Sequence, residues 1–157
     1  MELKDTHDIP VAIETVWAAL NDTDILAATI PGCQELIRDS DTELSAKVKL
    51  KIGPVSATFS GNVILSDLNP PHAYRISGKG SGGVAGGATG SAMVTLSPID
   101  EGTGTRLSYD VTAAVTGKIA QLGSRLIEST SKKLAGQFFA AFAKQFEAES
   151  QDETSIT

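Results

Sequence analysis

The sequence predicts an α+β protein in which a curved antiparallel sheet of about seven strands wraps around one long C-terminal helix, with two short helices after the first strand. Three observations carry this prediction. Apolar residues alternate with polar ones, at period two, through nearly every segment from residue 34 to residue 116. Gly, Pro and Asn turn signals punctuate that stretch at short intervals, as a meander of hairpins requires. After Gly117 the period becomes 3.6 and nothing breaks it before residue 147.

Taken in order, residues 2–9 read as a strand halted by Pro10. IETVWAALND then places Ile13, Val16, Trp17 and Leu20 at helical spacing, with Trp17 as the anchor of that helix. DILAATI forms a second short helix ended by Pro31-Gly32. TELSAKVKLKI sets Leu44, Ala46, Val48, Leu50 and Ile52 on one face and Lys47, Lys49 and Lys51 on the other. Gly53-Pro54 turns the chain into VSATFSGNVILSDL, and Asn69-Pro70-Pro71 breaks it again before HAYRISGKG. VAGGATGSAMVTLSP and TRLSYDVTAAV follow, joined by DEGTG. The closing helix carries Ile119, Leu122, Leu126, Thr130, Leu134, Phe138, Phe142 and Phe146 three or four residues apart. At about 30 residues it is roughly 45 Å long, and only the meander offers a face large enough to bury it. Residues 1–146 thus form one domain, and the acidic segment 147–157 is expected to be a disordered tail.

Composition narrows the function. The chain has 157 residues, 41% apolar and 20% charged, with a net charge of −6, an acidic balance that argues against nucleic acid as a partner. The start, MELKDTHDIP, is no signal peptide, and no stretch is long and apolar enough to span a membrane. Cys33 is the only cysteine, which excludes an internal disulfide and points to a reducing cytoplasm. No cofactor or metal is expected, because His7 and His72 lie in different elements and no ligand spacing occurs. The charge is uneven: residues 44–146 hold a net positive charge between acidic flanks.

The stretch GKGSGGVAGGATG, 78–90, holds seven glycines in thirteen residues and includes a G-x-G-x-x-G. A dinucleotide loop needs a helix opening at its last glycine, and the Thr- and Val-rich continuation forms none. Alternation instead puts Gly61, Gly78, Gly80, Gly86, Ala88, Gly90, Ala92 and Ala113 on the inner face, beside Phe59, Ile76, Val84 and Tyr109. Glycines let a sheet bend and let a helix approach it. So many small inward residues also remove core volume. An empty apolar space of about 300 Å³ would cost on the order of 7 kcal/mol, comparable with a domain's whole stability. Either the long helix closes onto the sheet, or an apolar ligand occupies part of the gap, and the ligand cavity is the preferred reading. The expected lining is Phe59, Gly78, Val84, Gly86, Ala88, Gly90 and Tyr109 from the sheet, with Leu126, Phe138 and Phe142 from the long helix. Tyr109 is the polar group best placed to orient a ligand head.

The chain resembles the carbon monoxide dehydrogenase G-subunit family, a branch of the START-like helix-grip (SRPBCC) superfamily. The matching segments are VWAALND at 16–22, PGC at 31–33, KVKLKIGPVSATFSG at 47–61, GKGSGGVAGGATGSAMVTL at 78–96, GKIAQLGSRLI at 117–127 and KLAGQFFAAF at 133–142. The resemblance implies an apolar cavity between sheet and helix. It also implies that Pro31, Gly32 and Cys33 approach Gly117 and Gly123, so that Leu26, Ile30 and Leu122 form an apolar rim at the cavity mouth. It further implies a non-enzymatic accessory or carrier protein holding a quinone- or lipid-like molecule. Such a protein serves a molybdenum-containing carbon monoxide dehydrogenase or related hydroxylase at the inner face of the cell membrane. Longer members carry a C-terminal extension suited to membrane association; this chain stops soon after its helix, so only transient membrane contact is expected, through Lys47, Lys49, Lys51, Lys132 and Lys133. The alternative is a small enzyme of polyketide cyclase/dehydratase type using the same cavity.

Overall fold

A computed structural model describes the backbone of residues 1–156 and the side chains of residues 1–147. The side chains of the acidic segment expected as a tail, Glu147 apart, lie outside the described residues. The elements are β1 (Glu2–Ile9), α1 (Ile13–Leu20), α2 (Thr23–Thr29), β2 (Cys33–Ser40), β3 (Glu43–Ile52), β4 (Val55–Asn69), β5 (Ala73–Ser81), β6 (Gly87–Ile99), β7 (Gly104–Thr116) and α3 (Ser124–Ile156). All seven strands form one antiparallel sheet in the order β1-β7-β6-β5-β4-β3-β2. Chain neighbours are sheet neighbours from β2 to β7, and β1 closes the series against β7.

Local chemistry explains the small helices. Asp22 caps α2 by accepting hydrogen bonds from the amides of Asp24 and Ile25 at 2.9 and 3.2 Å. Arg38 reaches from β2 to the junction of the two helices. Its guanidinium donates to the carbonyl of Asn21 at 2.9 Å, to the Thr23 hydroxyl at 3.2 Å and to the carbonyl of Asp41 at 2.9 Å. It thereby satisfies a carbonyl that α1 leaves unpaired where it ends.

The core lies at one end of the grip. Ile9, Val16, Leu44, Leu96, Leu107, Phe142 and Phe146 belong to one buried cluster, against which Trp17 and Phe138 pack. The aromatic rings of Phe138, Phe142 and Phe146 contact in sequence, 5.6 and 5.2 Å between centroids. Toward the other end of the strands the inner side chains are only half-buried, among them Val48, Leu50, Ile52, Val63 and Val115.

Two expected boundaries move. The long helix begins at Ser124 rather than just after Gly117. Gly117 and Gly123 have φ values of +76° and +92°, in the left-handed range that glycine tolerates, and they bracket a single 3₁₀ turn. Ile119 is nevertheless fully buried. The segment 84–98 is likewise not a continuous strand. Gly82–Gly86 make a turn, and β6 begins only at Gly87.

Candidate functional site

A cavity of about 490 Å³ lies between the open half of the sheet and the first turns of α3. Its floor is built from β3 to β7. Val48, Leu50, Ile52, Phe59, Val63, Ile76, Val111 and Val115 supply aliphatic and aromatic surface, while Gly61, Gly78, Gly80, Ala88, Gly90, Ala92 and Ala113 supply the space. Its roof is Ile127, Thr130, Ser131 and Leu134 of α3, with Ile119 and Met1 at the sides. The register explains why the small residues gather. Gly61 pairs with Gly80 and Gly80 with Ala88 at one level, and Gly78 pairs with Gly90 and Gly90 with Ala113 at the next, so at each of two neighbouring levels three adjacent strands carry nothing larger than a methyl group. A volume of this size on an apolar floor suits a small apolar molecule.

Polar groups at the cavity are few. Ser131 on the roof turns its hydroxyl back to the Ile127 carbonyl at 2.8 Å, which leaves its acceptor capacity toward the cavity. Thr130 stands beside it. Among the described residues no group of three His, Cys, Asp or Glu comes together to hold a metal ion.

Of the residues expected to contact a ligand, Phe59, Gly78, Ala88 and Gly90 line the cavity together. Val84 does not: it is 86% exposed at the tip of the β5–β6 turn, and Ala85 is buried in its place. The turn shifts alternation by one residue, which strand periodicity alone does not reveal. Gly86 lies in the same turn at φ +111°, where a Cβ would strike the carbonyl of Thr116; its part is to bring this turn against Gly117. Tyr109 and Phe138 sit in the closed half and Phe142 is wholly buried there, because α3 meets the sheet directly at that end. Tyr109 lies nearly parallel to Phe139, centroids 5.7 Å apart, and His7 stacks on the same ring at 4.0 Å. Burial, and secondarily the charge of Asp5, pushes the Tyr109 phenol above its usual range.

The expected mouth residues also find other places. Leu126 lies over the β3–β4 turn, next to Gly53, and Leu122 belongs to the turn that precedes α3. Leu26 and Ile30 are half-buried in and just after α2. Pro31 leads into Gly32, whose φ of +73° brings it against the carbonyl of Lys49. Cys33 pairs with Val48 at the start of β2, its thiol donating weakly to the Glu35 carbonyl at 3.6 Å. None of these residues lines the cavity. Sequence reasoning in turn missed Met1, Ile127 and Ser131 as lining residues. The periodic stripe names Thr130 and Leu134, and continuing it backwards from a helix start at Ser124 would have found Ile127.

The grip of a seven-stranded sheet on one long helix, with an apolar space between them, defines a helix-grip protein of the SRPBCC class. Within that class the chain belongs to the carbon monoxide dehydrogenase G-subunit (CoxG) family, whose model matches residues 6–147. A conserved protein from Geobacillus kaustophilus has a similar structure, with 27% identity, a TM-score of 0.88, and 94% of this chain and 96% of that one covered. A protein from Thermus thermophilus is similar at 17% identity and a TM-score of 0.69, covering 96% and 99% of the two chains. The Zhui aromatase/cyclase from a Streptomyces species shares the fold at 14% identity and a TM-score of 0.65, covering 94% and 93%. No curated protein sequence matches the chain. Among the described residues no helix is long and apolar enough to cross a membrane.

Proposed function

We propose that this protein is a non-enzymatic carrier that holds a lipid- or quinone-like molecule between its sheet and α3 and serves a molybdenum-containing carbon monoxide dehydrogenase-type enzyme, with transient contact at the membrane. The observation that carries the reading is the apolar cavity of about 490 Å³. Apolar surface left half-exposed in this way lowers stability, and an apolar guest restores the lost burial. The family supports the association with the enzyme. The likeness to an aromatase/cyclase is a likeness of fold, and the same fold serves unrelated activities.

Native mass spectrometry and solvent extraction of freshly purified protein test the reading. The expected result is a non-covalent apolar adduct that extraction removes. Replacing Ala88 with Leu fills the floor, and it should weaken binding of a decyl-chain quinone by about tenfold or more while the melting temperature changes little, since the new methyls enter space rather than atoms. A parent protein that binds no such probe, combined with a strongly destabilised Ala88→Leu variant, would sink the carrier reading. Retention of the molybdenum enzyme on the immobilised protein tests the partnership separately.

A further inference from the structure

We infer that the cavity-bearing end of the molecule is a docking face for an anionic lipid bilayer, with the Val84 turn as its leading point. The inference rests on the carrier reading above, because a molecule that collects an apolar guest from a bilayer must present its cavity to it. The chain's uneven charge becomes a spatial polarity once the strands are paired. Three of the segments that meet at the cavity end, 49–60, 78–92 and 112–127, carry Lys49, Lys51, Lys79, Lys118 and Arg125 with no acidic residue; the start of β1 adds Glu2, opposite Thr112, so the balance there is strongly positive. At the opposite end the turns carry Asp41, Asp100 and Glu101, and the end of β4 carries Asp67, which pairs with Arg75.

The five cations are exposed, and among the described residues none lies within salt-bridge distance of a carboxylate. Elsewhere Lys47, Arg75, Arg106 and Lys132 each have such a partner. Unpaired cations gathered at one end attract an anionic surface over roughly a Debye length. This corrects the expected contact surface. Of the expected set Lys49 and Lys51 remain, whereas Lys47 and Lys132 already pair with Glu35 and Glu128, and Lys133 lies further along α3 than Arg125, away from the end where the helix begins.

The apolar tip is tied to the rest of this end. The Ile119 amide donates to the carbonyl of Ala85 at 3.0 Å, and Gly86 abuts Gly117, so the β5–β6 turn and the loop before α3 are joined to one another. The turn presents the most exposed large apolar side chain described, Val84, close in the fold to Lys118. An apolar point at a cationic end fits the interface of an anionic bilayer, where each basic side chain adds attraction and the apolar group enters the headgroup layer.

Sedimentation with phosphatidylcholine vesicles, with and without phosphatidylglycerol, tests the face. The full chain should bind only the anionic vesicles and be released by salt, and Lys118→Glu combined with Arg125→Glu should weaken binding by about tenfold or more. A polarity-sensitive dye on Val84→Cys, in a Cys33→Ser background, should shift to the blue with anionic vesicles, and the same dye on Thr103→Cys at the far end should not. Absent or salt-resistant vesicle binding, binding unaffected by the charge reversal, or a dye shift at position 103 instead of 84 overturns the proposal. Retention of these cations by an acidic enzyme surface with no vesicle binding does so as well. Decyl-chain quinone uptake without vesicles is measured in parallel, so failure of the carrier reading is seen independently of failure of the docking face.

Discussion

Tyr74 shows how one buried side chain sets a pH limit. It is 4% exposed, lies edge-on to Trp17 with centroids 5.2 Å apart, and burial raises its phenol pKa to about 12. Below pH 10 the hydroxyl is protonated in both the folded and unfolded chains, and the full stability is present. Between about 10 and 12 the unfolded chain releases the proton while the folded one keeps it, so stability falls as pH rises, by on the order of 2–3 kcal/mol across that window. Tyr74→Phe should therefore flatten the alkaline loss of stability, as read by urea melts at pH 8 and pH 11. An equally steep loss in the variant would assign the alkaline sensitivity to another group. At this scale the sequence is an uneven guide. It marks Phe59, Gly78, Ala88 and Gly90 as inward, because a period of two needs only one correct register. It misplaces Val84, because a turn of glycines has no period to read.

Among elements, the junction of α1 and α2 depends on one side chain from elsewhere in the chain. Arg38→Ala removes three hydrogen bonds and leaves the Asn21 carbonyl without its charged partner. A loss of about 1–3 kcal/mol in chemical denaturation is expected, with α2 loosening first. A stability unchanged within a few tenths would mean that water replaces the guanidinium there. The strands and helices were legible where alternation or the 3.6 period runs through them; β2 was not legible as a segment of its own, because register shifts at Cys33/Glu35 and Arg38/Ser40 break its alternation. The start of α3 was not. Ile119 and Leu122 continue the helical spacing, and their burial is real for Ile119, yet Gly123 interrupts the backbone between them and Leu126. Spacing reports which side chains turn inward, and a 3₁₀ turn followed by a helix can satisfy it as well as a helix alone.

The whole molecule divides into a packed half and a hollow half, and α3 spans both. Phe138, Phe142 and Phe146 tie its later turns into the core, whereas Ile127, Thr130 and Leu134 face the cavity. Local stability follows buried apolar contact. Without a guest, amides of residues 126–134 should exchange with deuterium faster than those of 138–146, and a bound apolar probe should slow the first group selectively. Uniform exchange along 126–146 would mean that the hollow half is as firmly held as the core. The shortage of side-chain volume on the inner face was legible in the sequence, whereas whether the helix closes onto that face or leaves a cavity was not. Nor were the cavity's exact walls, because Tyr109, Phe138 and Phe142 share the inner face with the lining residues and differ from them only in how far along the strands they lie. Alternation gives the side of a sheet, and the level along it depends on where the helix comes to rest.

The closing of the sheet by β1 has a consequence for how the chain is made. Glu2 pairs with Thr112, and the amide of Ala113 donates to the carbonyl of Met1 at 2.9 Å. On the ribosome, the first segment to emerge must therefore wait for its partner until β7 has been translated, while β2 to β6 can zip together hairpin by hairpin as they appear. During that interval β7's future neighbour is a free strand, and two nascent chains on one messenger could exchange it. A slow rate of translation through the β7 codons lengthens the interval, and a rapid one favours each chain recapturing its own beginning.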